Sequence, residues 1–452
     1  MNGLFWYTWF MFALSYARHV PAHARIGKFV ADEPRLNVAF KLLKDHPEAD
    51  VLVTGGTARD AVIGKVPKHV HLTVQGIPEN ELQEWCNRRN TSKDLDIRVP
   101  ASSIWHPATR TLEHTSHHTL PLVHDLARRD ATVNAMAYSV RDGILHDPFD
   151  GLNDLEEKRL RTIGDPEQRF HEDPIRMLRF LRLAGHLGFS IEDHALHTIH
   201  KLGRNLNRLV SDENGKARYH IPRAHLGREF VSSLSQNAGE TITHFFKSGV
   251  MGHLVPEIAK LEHLVTSRGI PGHEHAETVL SDLHGHGASP AVTLAALLAI
   301  LEDESVAAFH KATERLHLPL LENGRNLVAD VDHLLKHRNI LVDQDPLELS
   351  HAEFEHVFGG PKGDDLLLFL HALAVTGGHN SQARERWYVA KRRKDEMPNT
   401  APPELVRGRD LLSLGLSPGR HLREIMRKIR NEQLSGKLWT KADALEFARS
   451  IT

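Results

Sequence analysis

The chain has 452 residues, a formal net charge of −2 at pH 7 with histidine counted as neutral, and a single cysteine, Cys86. This length exceeds what one hydrophobic core organises, so we expect several domains. The single cysteine excludes a disulfide framework and is typical of a reducing compartment. The near-neutral charge confines any nucleic-acid contact to local basic patches.

The N-terminal residues 1–31 contain no acidic side chain. Residues 4–14 are almost entirely apolar and aromatic, but this stretch is too short to span a bilayer. An organelle presequence would explain the absence of acids, and Ala22-His23-Ala24 resembles a secretory cleavage site. We predict a targeting or disordered segment over residues 1–30, a location in the cytoplasm or the mitochondrial matrix, and no membrane partner.

The first buried strand is predicted at Val51-Leu52-Val53, because a β-branched and apolar run stands directly before Gly55-Gly56. The glycines permit a tight turn that exposes backbone amides, and residues 58–63 then have helical character. A helix N-terminus attracts phosphate, and Arg59 would add a guanidinium there. An ordinary strand-to-helix turn is the alternative, and the neighbouring Arg59-Asp60 favours the phosphate site.

Two histidines follow the turn, at His69 and His71 of a predicted strand whose other face carries Val70, Leu72 and Val74. We expect both imidazoles on the side of the glycine turn. They could bind Zn²⁺ or another transition metal, hydrogen-bond phosphate when protonated, or only fill space. With 34 histidines against 5 tyrosines, the chain uses histidine freely, which weakens a special role for this pair.

A second alternating strand is predicted over residues 93–99 and carries Asp94 and Asp96. The two carboxylates share a face, so with Asp60 they could rebuild part of a cation site. The alternative that we prefer is a solvated edge strand.

Three further motifs follow in order: Arg128-Arg129-Asp130-Ala131-Thr132-Val133-Asn134, Asp147-Pro148-Phe149-Asp150-Gly151, and His171-Glu172-Asp173-Pro174-Ile175-Arg176. With the glycine turn, they resemble the class II tRNA nucleotidyltransferases (CCA-adding enzymes) and the bacterial poly(A) polymerases. The resemblance implies an α/β nucleotidyltransferase head, with a mixed sheet and helices, followed by several all-α modules. In that family the glycine turn is followed by Asp-x-Asp, whose place is taken here by His69-Val70-His71.

The resemblance also implies site residues. The nucleotide's phosphates and sugar would be held by Gly55, Gly56, Arg59, Arg128, Asp130 and Asn134. Asp173 and Arg176 would read its base, since an aspartate acceptor and an arginine fork three residues apart on one helical face can pair with the Watson–Crick edge of cytosine or adenine. The alternative for such a pair is a surface salt bridge.

The catalytic positions implied by the resemblance are His69, His71, Asp60 and Asp96, with Mg²⁺ as cofactor and ATP or CTP as substrates. Polymerase-type phosphoryl transfer uses two divalent cations about 4 Å apart, and Mg²⁺ prefers oxygen ligands to imidazole.

Two functions therefore stay open. The chain is a template-independent RNA nucleotidyltransferase, or it is an inactive RNA-binding scaffold or assembly factor of a ribonucleoprotein complex. In both cases the partner is RNA, either tRNA or another structured RNA.

The rest of the chain is predicted to be helical. His273-Glu274-His275 resembles a remnant of the HD phosphohydrolase domain that some long family members carry, but its metal-binding His-Asp pair would fall at Ala299-Ile300, so we expect no phosphatase activity. We expect a head over 31–160, a neck over 161–255, a helical body with this HD-like region over 256–395, and a C-terminal RNA-contacting module over 402–452.

Basic residues near the end of the chain are interspersed with the stackable aromatics Trp387-Tyr388 or lie along a C-terminal helix. A charge run is usually a solvated face, but beside the family resemblance it indicates RNA contact. The predicted RNA-binding residues are Arg392, Arg393, Arg420 and Arg427.

Overall fold

The computed structural model describes residues 22–89, 95–98, 103–106, 111–114, 122–211, 215–266, 269–319, 321–322, 325–376, 381–396, 404–434 and 436–451. The chain divides into two compact units between Asn205 and Leu206. Of the predicted targeting or disordered segment, residues 1–21 lie outside the described residues. Residues 22–32 form a helix, α1, that buries Ala22, Ile26 and Val30 at a spacing of four. The targeting or disordered segment over residues 1–30 stays a prediction, and its residues 22–30 are helical.

The first unit is built on a five-stranded mixed sheet with the order β3-β2-β1-β6-β7. Strand β1 pairs antiparallel with β2 and β6, β2 pairs parallel with β3, and β6 pairs antiparallel with β7. Val51, Leu52 and Val53 of β1 are fully buried, as their apolar run predicts. The strands are β1 (Asp50–Thr54), β2 (Val70–Gln75), β3 (Leu95–Arg98), the hairpin β4 (Ser103–His106) and β5 (Thr111–His114), β6 (Ala137–Ser139) and β7 (Leu145–His146).

The first unit also contains helices that precede, connect and follow the strands of this sheet. The glycine Gly188, at φ +67°, ends α8 in a left-handed cap. The strands β8 (Arg159–Leu160) and β9 (Ser190–Ile191) pair in parallel. The helices are α2 (Asn37–Asp45), α3 (Gly56–Val62), α4 (Glu79–Arg89), α5 (Leu122–Ala127), α6 (Gly151–Glu156), α7 (Pro166–Glu172), α8 (Ile175–Leu187) and α9 (Asp193–Leu202).

The second unit is mainly helical. Its most buried helix, α15, is apolar on all sides and lies inside the unit. The helices are α10 (Arg223–Ser232), α11 (Ala238–Lys247), α12 (Val250–Leu254), α13 (Pro256–Ala259), α14 (Gly272–Gly285), α15 (Pro290–Ala299), α16 (Ser305–Leu316), α17 (Leu327–Lys336), α18 (Ile340–Asp343), α19 (His351–Phe358), α20 (Gly360–His371), α21 (Ser381–Glu396), α22 (Gly408–Leu412), α23 (Arg420–Leu434) and α24 (Lys441–Ser450). Two short hairpins complete it: β10 (Leu209–Ser211) with β11 (Ala217–Tyr219), and β12 (Leu321–Glu322) with β13 (Arg325–Asn326).

The predicted fold class, an α/β head followed by helical modules, is confirmed. Within the described ranges, no helix combines the length and the apolar character that crossing a membrane requires.

Candidate nucleotide-binding site

The turn after β1 requires glycine. Gly55 has φ +66°, which strains any other residue, and a Cβ at this position would lie 3.0 Å from Nη1 of Arg129. Arg129 is held there by an ion pair between its Nη2 and Oδ2 of Asp125, at 3.0 Å. The turn thus lets a guanidinium approach the backbone at the start of α3.

Arg59 connects α3 to the segment that contains Asn134. Its Nη1 donates a hydrogen bond of 2.6 Å to Oδ1 of Asn134, and its Nε donates one of 2.8 Å to Oδ1 of Asp60. Two residues predicted to hold the same nucleotide are therefore in direct contact. The carboxylate of Asp60 is neutralised by its neighbour Arg59.

The hydroxyl of Thr57 fixes the start of β2. It donates to the carbonyl of His69 at 3.2 Å and accepts the backbone N–H of His71 at 2.9 Å. Because β2 begins at Val70, His69 lies just before the strand and is exposed, whereas His71 lies within it. The expectation that both histidines lie in the strand is therefore correct for His71 and wrong for His69.

The parallel pairing of β2 with β3 places His71 opposite Asp96. Nδ1 of His71 lies 3.2 Å from Oδ2 of Asp96, and the side chains are 42% and 35% exposed. Strand β3 is at the edge of the sheet, as the solvated-edge alternative requires. Asp94 lies outside the described residues. Asp96 therefore reaches the position of the missing carboxylates, but its carboxylate contacts an imidazole.

The glycine turn, strand β2 and the segment that carries Asn134 line one cleft of about 260 Å³. Two residues that the sequence analysis missed, Thr54 and Thr73, line it, and their hydroxyls lie 3.1 Å apart between β1 and β2. Thr73 stands two positions after His71 on the same strand, and this alternation was the signal that could have indicated it. The lining residues are Thr54, Gly55, Gly56, His71, Leu72, Thr73, Arg128, Arg129, Asp130 and Asn134.

A buried carboxylate anchors the segment that carries Arg128, Asp130 and Asn134. Asp154 is fully buried, accepts a 2.5 Å hydrogen bond from the hydroxyl of Thr132, and pairs with Arg159 at 3.0 Å and Arg161 at 2.9 Å. Its hydrogen bond to Arg159 raises the pKa of that guanidinium. This network holds the segment without contributing a side chain to the cleft lining.

The motif that begins at Asp147 supports the same segment. The two carboxylate oxygens of Asp147 accept the backbone N–H groups of Gly151 and Leu152, each at 2.8 Å. A Cβ at Gly151 would lie 2.5 Å from the carbonyl oxygen of Thr132, so only glycine permits this approach. We infer that this motif acts as a support for the cleft.

The predicted base-reading pair does not share one helical face. Asp173 lies between α7 and α8 with extended backbone, and its Oδ1 accepts the N–H of Ile175 at 3.2 Å. Arg176 lies in the first turn of α8 and pairs with Glu172 at 3.0 Å and Asp130 at 3.3 Å. The spacing argument failed because α7 ends at Glu172 and a new helix, α8, begins at Ile175, so Asp173 and Pro174 lie between two helices. Arg176 nevertheless contacts a residue of the cleft.

The described residues of the cleft do not fit a pair of Mg²⁺ ions. Asp96 is paired with His71, Asp60 with Arg59, and Asp130 with Arg176. Two Mg²⁺ ions need several unencumbered oxygen ligands, and imidazole is a poor substitute.

The predicted RNA-binding arginines lie in different settings within the second unit. Arg392 on α21 and Arg427 on α23 are exposed. The guanidinium of Arg393 lies 4.4 Å from the centre of the Phe354 ring and donates to the carbonyl of Pro346, so it packs within the unit. The side chain of Arg420 lies outside the described part of the structure.

Residues 51–161 match the family model of the poly A polymerase head domain. The CCA-adding enzyme of Levilactobacillus brevis is 26% identical over 426 residues, which cover 87% of this chain and 92% of that enzyme. The CCA-adding enzyme of Leuconostoc citreum is 30% identical over 203 residues, or 40% of this chain and 47% of the relative. Poly(A) polymerase I of Haemophilus influenzae is 32% identical over 195 residues, which cover 38% of this chain and 43% of that enzyme. The chain thus spans less than half the length of the last two relatives.

Solved structures show the same fold at low identity. The CCA-adding enzyme of Bacillus stearothermophilus, in complex with CTP, superimposes with a TM-score of 0.60 at 20% identity over 92% of this chain and 98% of that one. The motifs in their order, the mixed sheet and these relatives lead to one conclusion. Residues 51–161 match a poly A polymerase head domain, and the chain is similar along most of its length to the CCA-adding enzymes, with His69-Val70-His71 at the place of the Asp-x-Asp.

Proposed function

We propose that this chain binds a nucleoside triphosphate and an RNA 3′ end through its head unit, but does not catalyse Mg²⁺-dependent nucleotidyl transfer. The observation that carries the proposal is the 3.2 Å contact between Nδ1 of His71 and Oδ2 of Asp96, where the family's metal-binding carboxylates belong.

The charges around the cleft support triphosphate binding without a metal. Arg128 is exposed at the cleft, and Arg129 approaches the glycine turn. In a metal-dependent site, acidic side chains hold the cations that neutralise the triphosphate. Here imidazole replaces two of those acids, so less negative charge opposes the phosphates, and guanidinium groups can bind them directly. Arg59 and Asn134 hold each other in place and so keep the turn rigid.

The side chains of His71 and Asp96 also argue against nucleotidyl transfer. In the two-cation reaction, the ions activate the attacking hydroxyl and stabilise the leaving oxygen. His71 and Asp96 contact each other and together supply a single carboxylate, which is too few oxygen ligands for two hard cations about 4 Å apart. The residues present therefore bind and orient a nucleotide without supplying this chemistry.

RNA is the proposed macromolecular partner, and tRNA is the proposed class. A relative from Thermotoga maritima, with a TM-score of 0.50 and 20% identity, is described as complexed with tRNA. A scaffold or assembly role in a ribonucleoprotein complex follows if binding persists without transfer. The location in the cytoplasm or the mitochondrial matrix stays a prediction.

A second candidate is nucleotidyl transfer with a transition metal. Nδ1 of His71 and Oδ2 of Asp96 form an adjacent nitrogen and oxygen donor pair, which suits Mn²⁺, Co²⁺ or Zn²⁺ better than Mg²⁺. This candidate requires incorporation of nucleotide with one of those ions and none with Mg²⁺.

Calorimetric titration of the full chain with ATP and CTP in EDTA tests the binding proposal. We expect binding without metal and a loss of about ten- to a hundredfold in affinity for Arg128→Ala, because charge-assisted hydrogen bonds contribute about 1.5–3 kcal/mol. Arg88→Ala, which removes an exposed guanidinium from α4, is the control and should bind as the parent does. Absence of binding, or equal loss in both variants, would contradict the proposal.

A further inference from the structure

Three metal-ligating side chains converge in the helical second unit, in a place that the nucleotide proposal does not use. They are Asp282 in the last turn of α14, His286 directly after that helix, and His371 at the end of α20. One donor atom from each lies within 4.8 Å of the others.

The spacing of these donors suits a shared ion. Nε2 of His371 lies 3.6 Å from Oδ2 of Asp282, and Nδ1 of His286 lies 3.8 Å from Oδ1 of the same carboxylate. Both distances are too long for hydrogen bonds. Nδ1 of His286 instead lies 2.9 Å from the backbone carbonyl oxygen of Asp282, and metal binding would replace that hydrogen bond. Tetrahedral ligands at Zn²⁺ bond lengths of 2.0–2.1 Å are about 3.3–3.4 Å apart, so small side-chain rotations would close the site.

The ring of His371 has unused hydrogen-bonding capacity. Its Nδ1 is buried and finds no hydrogen-bond partner among the described residues, while its Nε2 faces Asp282. The ring packs 4.8 Å from Trp387 and 5.2 Å from His286, measured between centroids.

The end of α14 favours a cation. Helix α14 ends at this cluster and its C-terminus carries partial negative charge, whereas α20 continues beyond His371 into a π-helical segment, Ala372–Thr376. A carboxylate in the last turn of α14 adds to that charge and is unfavourable there unless a cation offsets it.

We propose that Asp282, His286 and His371 bind one divalent transition-metal ion, for which Zn²⁺ is the best chemical match, with water in the fourth position. Two imidazoles and one carboxylate select this class over Mg²⁺. The ion ties the end of α14 to the end of α20, so its binding stabilises the second unit. The site is independent of nucleotide binding in the head.

Zinc titration of the full chain against a competing chelator, combined with thermal unfolding, tests this site. Because His286 is exposed, His286→Gln should fold normally, and Asp282→Asn is the second variant. We expect each to lose one zinc ion per chain at a free zinc concentration that saturates the parent. The affinity should fall by more than the ten- to hundredfold typical of outer-sphere partners. The zinc-dependent rise in melting temperature should disappear as well.

The control is His310→Gln, which removes an exposed histidine that pairs with Asp332 at 3.5 Å. It should bind zinc and gain thermal stability as the parent does. Unchanged zinc stoichiometry and affinity in both His286→Gln and Asp282→Asn would overturn the proposal, as would equal loss in the control.

Discussion

Among the charged side chains described in the first unit, that of Asp154 is the most buried. It is fully buried and serves three partners at once: the hydroxyl of Thr132 and the guanidinium groups of Arg159 and Arg161. Breaking a buried ion pair leaves its partners uncompensated and usually costs about 3–5 kcal/mol. Here both arginines keep contact with solvent, which reduces that cost.

For Asp154→Ala we therefore expect a loss of about 2–3 kcal/mol in the free energy of unfolding. Urea unfolding measures it. Glu157→Ala is the matched control, because Glu157 pairs with the same Arg159 at 3.0 Å but is exposed, and its loss should cost less than about 1 kcal/mol. Equal costs for the two variants would show that burial of Asp154 does not matter.

Side-chain roles were predictable from the sequence where they depend on local chain geometry. Gly55 belongs to this class, since a glycine pair after a buried strand indicates a left-handed turn. Asp173 does not, because its place outside both helices depends on where α7 ends and α8 begins. The pair of Thr54 and Thr73 depends on strand register, which no local pattern fixes.

Helices α21 and α23 each present an exposed arginine, Arg392 and Arg427, and each helix also carries cations that are paired within the unit. Lys391 and Lys394 on α21 form ion pairs with Asp395 and Asp364, and Arg430 on α23 pairs with Glu355. A paired cation releases fewer counterions from RNA than an unpaired one. Arg392 and Arg427 are therefore stronger candidates for phosphate contacts than these three paired cations.

We expect the double variant Arg392→Ala/Arg427→Ala to weaken tRNA binding and to reduce the slope of log affinity against log salt by about two, roughly one per lost phosphate contact. Filter binding over a salt series measures the slope. The control Lys260→Ala/Lys336→Ala removes two lysines that are paired with Glu304 and Asp332, and should leave the slope unchanged. Equal slopes for all three proteins would exclude Arg392 and Arg427 as phosphate contacts.

At the level of strands and helices, the local sequence pattern predicted the ends of β1 to within one residue and those of α3 to within two. It did not predict that β2 pairs in parallel with β3, and it is this pairing that brings Asp96 to His71. Parallel pairing joins segments distant along the chain, so local patterns carry little information about it.

The two units of the chain differ in how much of their function the sequence indicated. Ordered motifs in the head predicted the fold and the family, because each motif performs a local task such as a turn or a cap. The cluster of Asp282, His286 and His371 escaped notice, since His371 lies on a helix far along the chain from the other two. Family membership fixes the architecture of the head better than its activity.

The central claim is that nucleotide binding persists in this chain while Mg²⁺-dependent transfer is lost through the replacement of Asp-x-Asp by His69-Val70-His71. The most direct test is incorporation of labelled ATP and CTP into a tRNA lacking its 3′ end, with Mg²⁺, Mn²⁺ and Zn²⁺ in separate reactions. The unmodified protein and a His69→Asp/His71→Asp variant are compared. We expect no incorporation by the unmodified protein with Mg²⁺ and a gain by the variant. Incorporation by the unmodified protein with Mg²⁺ would contradict the claim.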